Sequence, residues 1–209
     1  MIEFDVILNA FVTLFVTIDP IGLAPLFLGI TEGMSRTQRY AVGLRACIIA
    51  FFLLVIFLFA GNAILDKMGI TIHAFRVAGG LLLFYIAFEM VFGKRQERKE
   101  RSSQEAISKD EIANIAVFPL ALPLIAGPGA ISAAVLLSSQ QGGSLEWQGL
   151  LTLVILVIIA LTLLSFIAAE AIDKLLGHTG RMLLTRLLGV LLAALSVQFV
   201  VDGLKALWL

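Results

Sequence analysis

Two stretches of this chain, ACIIAFFLLVIFLFAG (46–61) and GLLTLVILVIIALTLLSFIAA (149–169), contain no charged residue at all. Uncharged apolar runs of this length read as helices that cross a lipid bilayer. The rest of the chain agrees. It is 60% hydrophobic and 14% charged, whereas soluble domains average about a quarter charged residues. The pattern predicts an all-α, polytopic membrane protein with six spans, at roughly 4–31, 40–64, 74–93, 112–139, 149–171 and 183–207. The N-terminus carries Glu3 and Asp5 and no basic n-region, so it is read as a retained first span rather than a signal peptide. Cys47 lies within an apolar run and, as the single cysteine, has no intrachain partner. It is read as a small buried apolar residue.

The one charge-dense segment, GKRQERKERSSQEAISKDE (93–111), divides the chain into two halves of three spans. The organisation expected is a first three-helix unit (1–93), a charged cytoplasmic linker (94–111) and a second three-helix unit (112–209). Lys and Arg gather on the cytoplasmic side of membrane proteins. With both termini outside, 12 of the 15 basic residues fall on cytoplasmic segments, and Lys67, Arg76 and Lys205 fall outside. The reverse orientation inverts this ratio. The 15 acidic residues balance the charge, so nothing points to a nucleic-acid partner.

The halves resemble each other. DP at 19–20, DK at 66–67, RVAG at 76–79 and Gly93 are matched by GP at 127–128, DK at 173–174, RLLG at 186–189 and Gly203. Because each half has an odd number of spans, the second must enter the membrane from the opposite side. The expectation is a 3+3 inverted-topology repeat, a form suited to alternating access.

All five prolines fall at equivalent places in the two halves: Pro20 and Pro25 in the first span, and Pro119, Pro123 and Pro128 in the fourth. Proline removes an amide donor and clashes with the carbonyl four residues back. In lipid such a break is tolerated where it lines a cavity or is covered by protein. Asp19 and Gly127 each lie roughly 20 Å from the ends of their spans, so helices 1 and 4 are expected to break near the midplane. Asp-Pro is a good helix start, with Asp19 as N-cap; Gly127-Pro128 is a weaker one. Two half-helix N-termini then converge, with Asp19 filling its own and the glycines at 127 and 129 leaving theirs open to an anion.

The substrate-binding candidates are Asp19, Pro20, Gly22, Pro25, Pro123, Gly127, Pro128, Gly129 and Ser132. A carboxylate would dock at the amides after Gly127 with help from the Ser132 hydroxyl, and an ammonium or coupling cation would meet Asp19. Glu89, an intramembrane carboxylate, is a candidate for coupling or gating, set against snorkelling or pairing with Lys94. Arg76 and Arg186 occupy matching positions, either anchoring at headgroups or pairing with Asp66 and Asp173 as gates. Gln198 is a candidate interhelical hydrogen-bond partner or cavity residue. Glycines 79, 80 and 189 suit close helix packing. No metal-ligand spacing, nucleophile motif or phosphate-cradling loop is present, so neither an enzyme nor a metal or other cofactor is expected.

The motifs DPIGLAPLFLGIT (19–31), PLALPLIAGPGAIS (119–132), FRVAGGLLLF (75–84) and GVLLAALSVQFVVDGLK (189–205) together resemble the MarC family of six-span bacterial and archaeal inner-membrane proteins. That family includes the SnatA-type neutral amino acid transporters. The resemblance covers essentially the whole chain. It implies ion-coupled transport of a small neutral amino acid such as glycine, alanine, serine or threonine, with H+ or Na+ as the coupling ion. The family carries Asn or Asp before the first Pro; where Asn serves, a full negative charge is not essential. A homo-oligomer is compatible with these expectations. The competing reading is a cation-translocating or channel-like protein that uses Asp19 and freed carbonyls. A third is a regulatory membrane subunit without transport of its own.

Overall fold

The computed structural model describes residues 4–31, 34–94 and 115–208. The charged linker lies almost wholly outside the described residues. The described chain is helical apart from its connections and one irregular coil: α1 (Phe4–Ile18), α2 (Pro20–Ile30), α3 (Arg36–Lys67), α4 (Ile72–Val91), the coil (Ala116–Ile125), α5 (Pro128–Ser138), α6 (Leu145–Ile167) and α7 (Ala169–Trp208). Helix starts follow local chemistry. Ser35 and Gln38 close a capping box on α3, with Ser35 N–H donating to Gln38 Oε1 at 2.9 Å. Thr71 and Ser144 accept from the amides of Ala74 and Trp147 at the starts of α4 and α6.

Among the described residues five helices are long and apolar enough to span a bilayer: α1 and α2 taken together, α3, α4, α6 and Met182–Leu207 of α7. Six spans were expected from the sequence, the first and fourth broken near the midplane. Among the described residues of the fourth, 112–139, the irregular coil is followed by an eleven-residue helix, Pro128–Ser138, and neither piece is long enough to span by itself. The last helix begins early, at Ala169, and is interrupted at Gly177 (φ 55°, ψ −175°). Only 28% of the most apolar window of α3 is buried within the protein. Its exposed Phe52, Ile56 and Phe59 face outward, as a lipid-solvated surface requires.

The packing exchanges the two halves. The coil and α5 of the second half lie on α3, as α1 and α2 of the first lie on α6. Helix α5 touches α4 as α2 touches α7, while α3 meets α6 and α4 meets α7. The α4–α7 seam is closed by glycines. A Cβ on Gly80 would lie 3.0 Å from Ser196 O and 3.1 Å from Val200 N; one on Gly189 would lie 3.1 Å from Ala87 O. Small residues at such seams let backbones approach. Because backbone cannot yield as a side chain does, Gly80→Leu is expected to lower stability by about 1–3 kcal/mol. A Cβ at the α6 residue Gly149 meets nothing within 4 Å. Thermal melting in detergent should therefore separate Gly80→Leu from an unperturbed Gly149→Ala.

Candidate functional site: two broken helices

The first break is a single residue wide. Asp19 sits at φ 61°, ψ 63°, in the left-handed region that Asp tolerates better than most residues. Its N–H donates to Phe15 O at 2.8 Å and closes α1; its own C=O accepts from Leu23 N–H at 3.0 Å and opens α2. Pro20 supplies the first helical residue, where a missing N–H costs nothing. Asp19 Oδ1 accepts from Gly22 N–H at 3.0 Å, so the carboxylate folds over the terminus it caps. Gly22 makes this fold possible: a Cβ there would collide with Asp19 Oδ2 and lie 2.7 Å from Cγ. Pro25 stays inside α2 without breaking it. The whole turn is sealed, with Asp19 and Thr17 each 3% exposed.

The second break is broader. Phe118 (φ −132°, ψ 123°) and Leu122 (φ −125°, ψ 127°) are extended, and each precedes a proline. Clash with the proline ring drives such residues out of the helical region. Gly127 (φ −77°, ψ 172°), before Pro128, is extended for the same reason. Helix α5 then starts, with Ile131 N–H donating to Gly127 O at 3.0 Å. Gly127, its N-cap residue, supplies no side-chain cap. This leaves amide donors at a positive helix end, beside Gly129, which is buried, and Ser132, which is 9% exposed. Gly127 is half-buried and Pro128 exposed; the side chain of Pro123 lies outside the described residues.

The two breaks meet. A Cβ on Gly129 would collide with Ile86 Cδ1 and lie 3.3 Å from Thr17 Cγ2. Gly129 is two residues past Gly127, and Thr17 two residues before Asp19. A contact between these breaks therefore joins the self-capped helix start to the open one, with α4 as the third wall. Glu89 stands one turn beyond Ile86 on α4 and is 5% exposed, so it is enclosed by protein rather than snorkelled to an aqueous face. The chemistry available is an acid on one side and unfilled amides with a hydroxyl on the other, inside an apolar shell.

Other sequence candidates lie elsewhere. Arg76 Nη2 donates to Ser139 Oγ at 3.3 Å, which ties α4 to the C-terminal end of α5 rather than to Asp66. Arg186 is exposed, and the side chain of Asp173 lies outside the described residues. Gln198 is exposed, and its Nε2 donates to Asp202 Oδ1 at 2.8 Å on its own helix, not across an interface. Thr17 and Ile86 were not among the sequence candidates. Thr17 carried one signal, a hydroxyl two residues from the Asp-Pro pair. Ile86 carried none.

A family model described as MarC family integral membrane protein matches residues 4–208. Similar curated proteins include a UPF0056 membrane protein of Archaeoglobus fulgidus, 42% identical over 196 residues (93% of this chain, 90% of that one). Another, from Buchnera aphidicola subsp. Schizaphis graminum, is 38% identical over 208 residues (100% and 96%). The UPF0056 membrane protein YvbG of Bacillus subtilis is 37% identical over 205 residues (98% and 97%). No solved structure gives a significant match.

Proposed function

We propose that this chain, which belongs to the MarC family of integral membrane proteins, is a secondary transporter of small neutral amino acids. It works by alternating access, coupled to an H+ or Na+ gradient, in the cytoplasmic membrane with both termini outside. The observation that carries this reading is the contact between the two helix breaks at Gly129 and Thr17. It sets the chain two residues before the buried Asp19 against the start of α5, to which Gly127 gives no side-chain cap. A zwitterion is the small solute that answers both: its carboxylate meets the amides after Gly127 and Ser132, and its ammonium meets Asp19. Glu89, one turn from the same junction, is placed to couple a cation to the site.

The exchange of packing partners between halves supports the inverted repeat. Two halves of similar energy can trade conformations, which turns the site from one face to the other. The enclosure of Asp19 and Ser132 fits an occluded arrangement between those two openings.

Counterflow in proteoliposomes tests this. Vesicles loaded with unlabelled alanine should accumulate external labelled alanine, and glycine, serine and threonine should compete. Ion current without amino acid exchange would move the assignment to a cation pathway. Absence of both, with a stable partner protein retained on purification, would remove transport from this chain.

A further inference from the structure

A second polar cluster lies away from the breaks, where the start of α3 meets the α6–α7 junction. Here a cavity of about 450 Å³ opens between α2, α3 and α6, within the range of about 300–1,000 Å³ usual for small-molecule sites. Arg36, Arg39 and Tyr40 line one side and Glu170 the other. Arg39 Nη1 donates to Glu170 Oε1 at 3.0 Å. The two side chains differ in exposure: Arg39 is 21% exposed and Glu170 54%. Arg39 Nε is buried and has no hydrogen-bond partner among the described residues.

The floor is aromatic. Phe27 of α2 stacks on Phe166 of α6 with ring centroids 4.2 Å apart and planes 10° from parallel. Gly43 of α3 leaves room for both rings: a Cβ there would lie 3.2 Å from Phe27 Cζ and 3.3 Å from Phe166 Cδ2. Phe27 is eight residues beyond Asp19 along α2, a rise of about 12 Å. The stack therefore separates this cavity from the sealed break.

We infer that the cavity is a vestibule subsite for the zwitterionic end of a free amino acid, and this rests on the transport reading above. The carboxylate is held by the guanidiniums of Arg36 and Arg39, whose fork geometry matches it. The ammonium is held by the carboxylate of Glu170, whose side chain is 54% exposed. A lone anion would face Glu170, and a lone cation would face two arginines; a zwitterion satisfies both signs. The volume exceeds that of a small amino acid, so the subsite collects zwitterions without selecting side chains. Selection falls to the breaks beyond the phenylalanine stack.

Equilibrium binding of radiolabelled alanine to full-length protein in nanodiscs of phosphatidylcholine and phosphatidylglycerol tests this. The parent protein should bind two alanines per chain, one of them weakly. Asp19→Ala should keep only the weak site. Adding Arg39→Gln or Glu170→Gln should weaken it at least tenfold, and so should the exposed Arg36→Gln, which leaves the ion pair in place. Melting curves report whether each variant is folded. One site in the parent and none in Asp19→Ala overturns the vestibule and leaves the transport reading standing. No alanine binding by the parent overturns both. Residual binding indifferent to all three vestibule variants places the second site elsewhere and overturns this one. A phosphatidylethanolamine that co-purifies with the parent and is lost from Arg39→Gln, without change in alanine binding, makes the cavity a lipid site and overturns the inference.

Discussion

Asp19→Ala abolishes amino acid binding at the helix breaks, and with it transport, while the purified protein remains folded. The structural cost is moderate. Alanine at φ 61° and the lost cap to Gly22 N–H together lower stability by about 2–3 kcal/mol. The functional cost is larger. Truncating one partner of a buried, hydrogen-bonded charge pair costs about 2–5 kcal/mol, or a loss in affinity of about 30-fold or more. Asp19→Asn separates the two effects. Asparagine tolerates the left-handed conformation and still offers an oxygen to Gly22 N–H, so melting is preserved. Only charge assistance to the ammonium is lost, about 1 kcal/mol, which lowers affinity about five- to tenfold. Equilibrium binding and proteoliposome uptake, read beside melting, check all three proteins. Parental binding by Asp19→Ala removes this residue from the site; equal losses in the Asn and Ala variants mean that the negative charge itself is indispensable.

Gly129→Ala is the second variant expected to stop transport, and for a different reason. The added methyl meets the tip of Ile86 and approaches Thr17 Cγ2. The Ile86 tip can swing aside, so packing loses about 1–3 kcal/mol at most. The methyl also stands over the uncapped start of α5, where a substrate carboxylate must approach the amides. Transport should fall by a factor of about 10 to 150, the scale of a lost charge-assisted hydrogen bond of about 1.5–3 kcal/mol. Combining it with Ile86→Val removes the colliding Cδ1 and isolates the cause. Melting should return to the parental value and transport should not. Recovery of transport in the double variant would show that Gly129 serves packing alone.

The sites of the breaks were legible because proline acts locally. Asp19 and Gly127 leave the α region just ahead of Pro20 and Pro128. Phe118 and Leu122 do so ahead of Pro119 and Pro123. The same rule, followed through each X-Pro pair, would have extended the break expected at Gly127-Pro128 back over Phe118 and Leu122, which gives the irregular coil ahead of α5. Pro25 marks the limit of such reasoning, since α2 continues through it. The glycines at 79, 80 and 189 were legible as packing residues, although their partners were not.

Local chain chemistry thus determined where helices start, which stretches are apolar enough to cross a bilayer, and where the chain breaks. Those features follow from steric and hydrogen-bonding demands spanning a few residues, and from apolar length. Only the tertiary structure decided that Gly129 rests against Thr17 and Ile86, that Arg76 reaches Ser139, and that Arg39 pairs with Glu170 131 positions away. No short-range rule links residues so far apart. Their meeting depends on helix crossings set by side-chain volume, and on glycines that bring one backbone within 3.0 Å of where a neighbour's Cβ would stand.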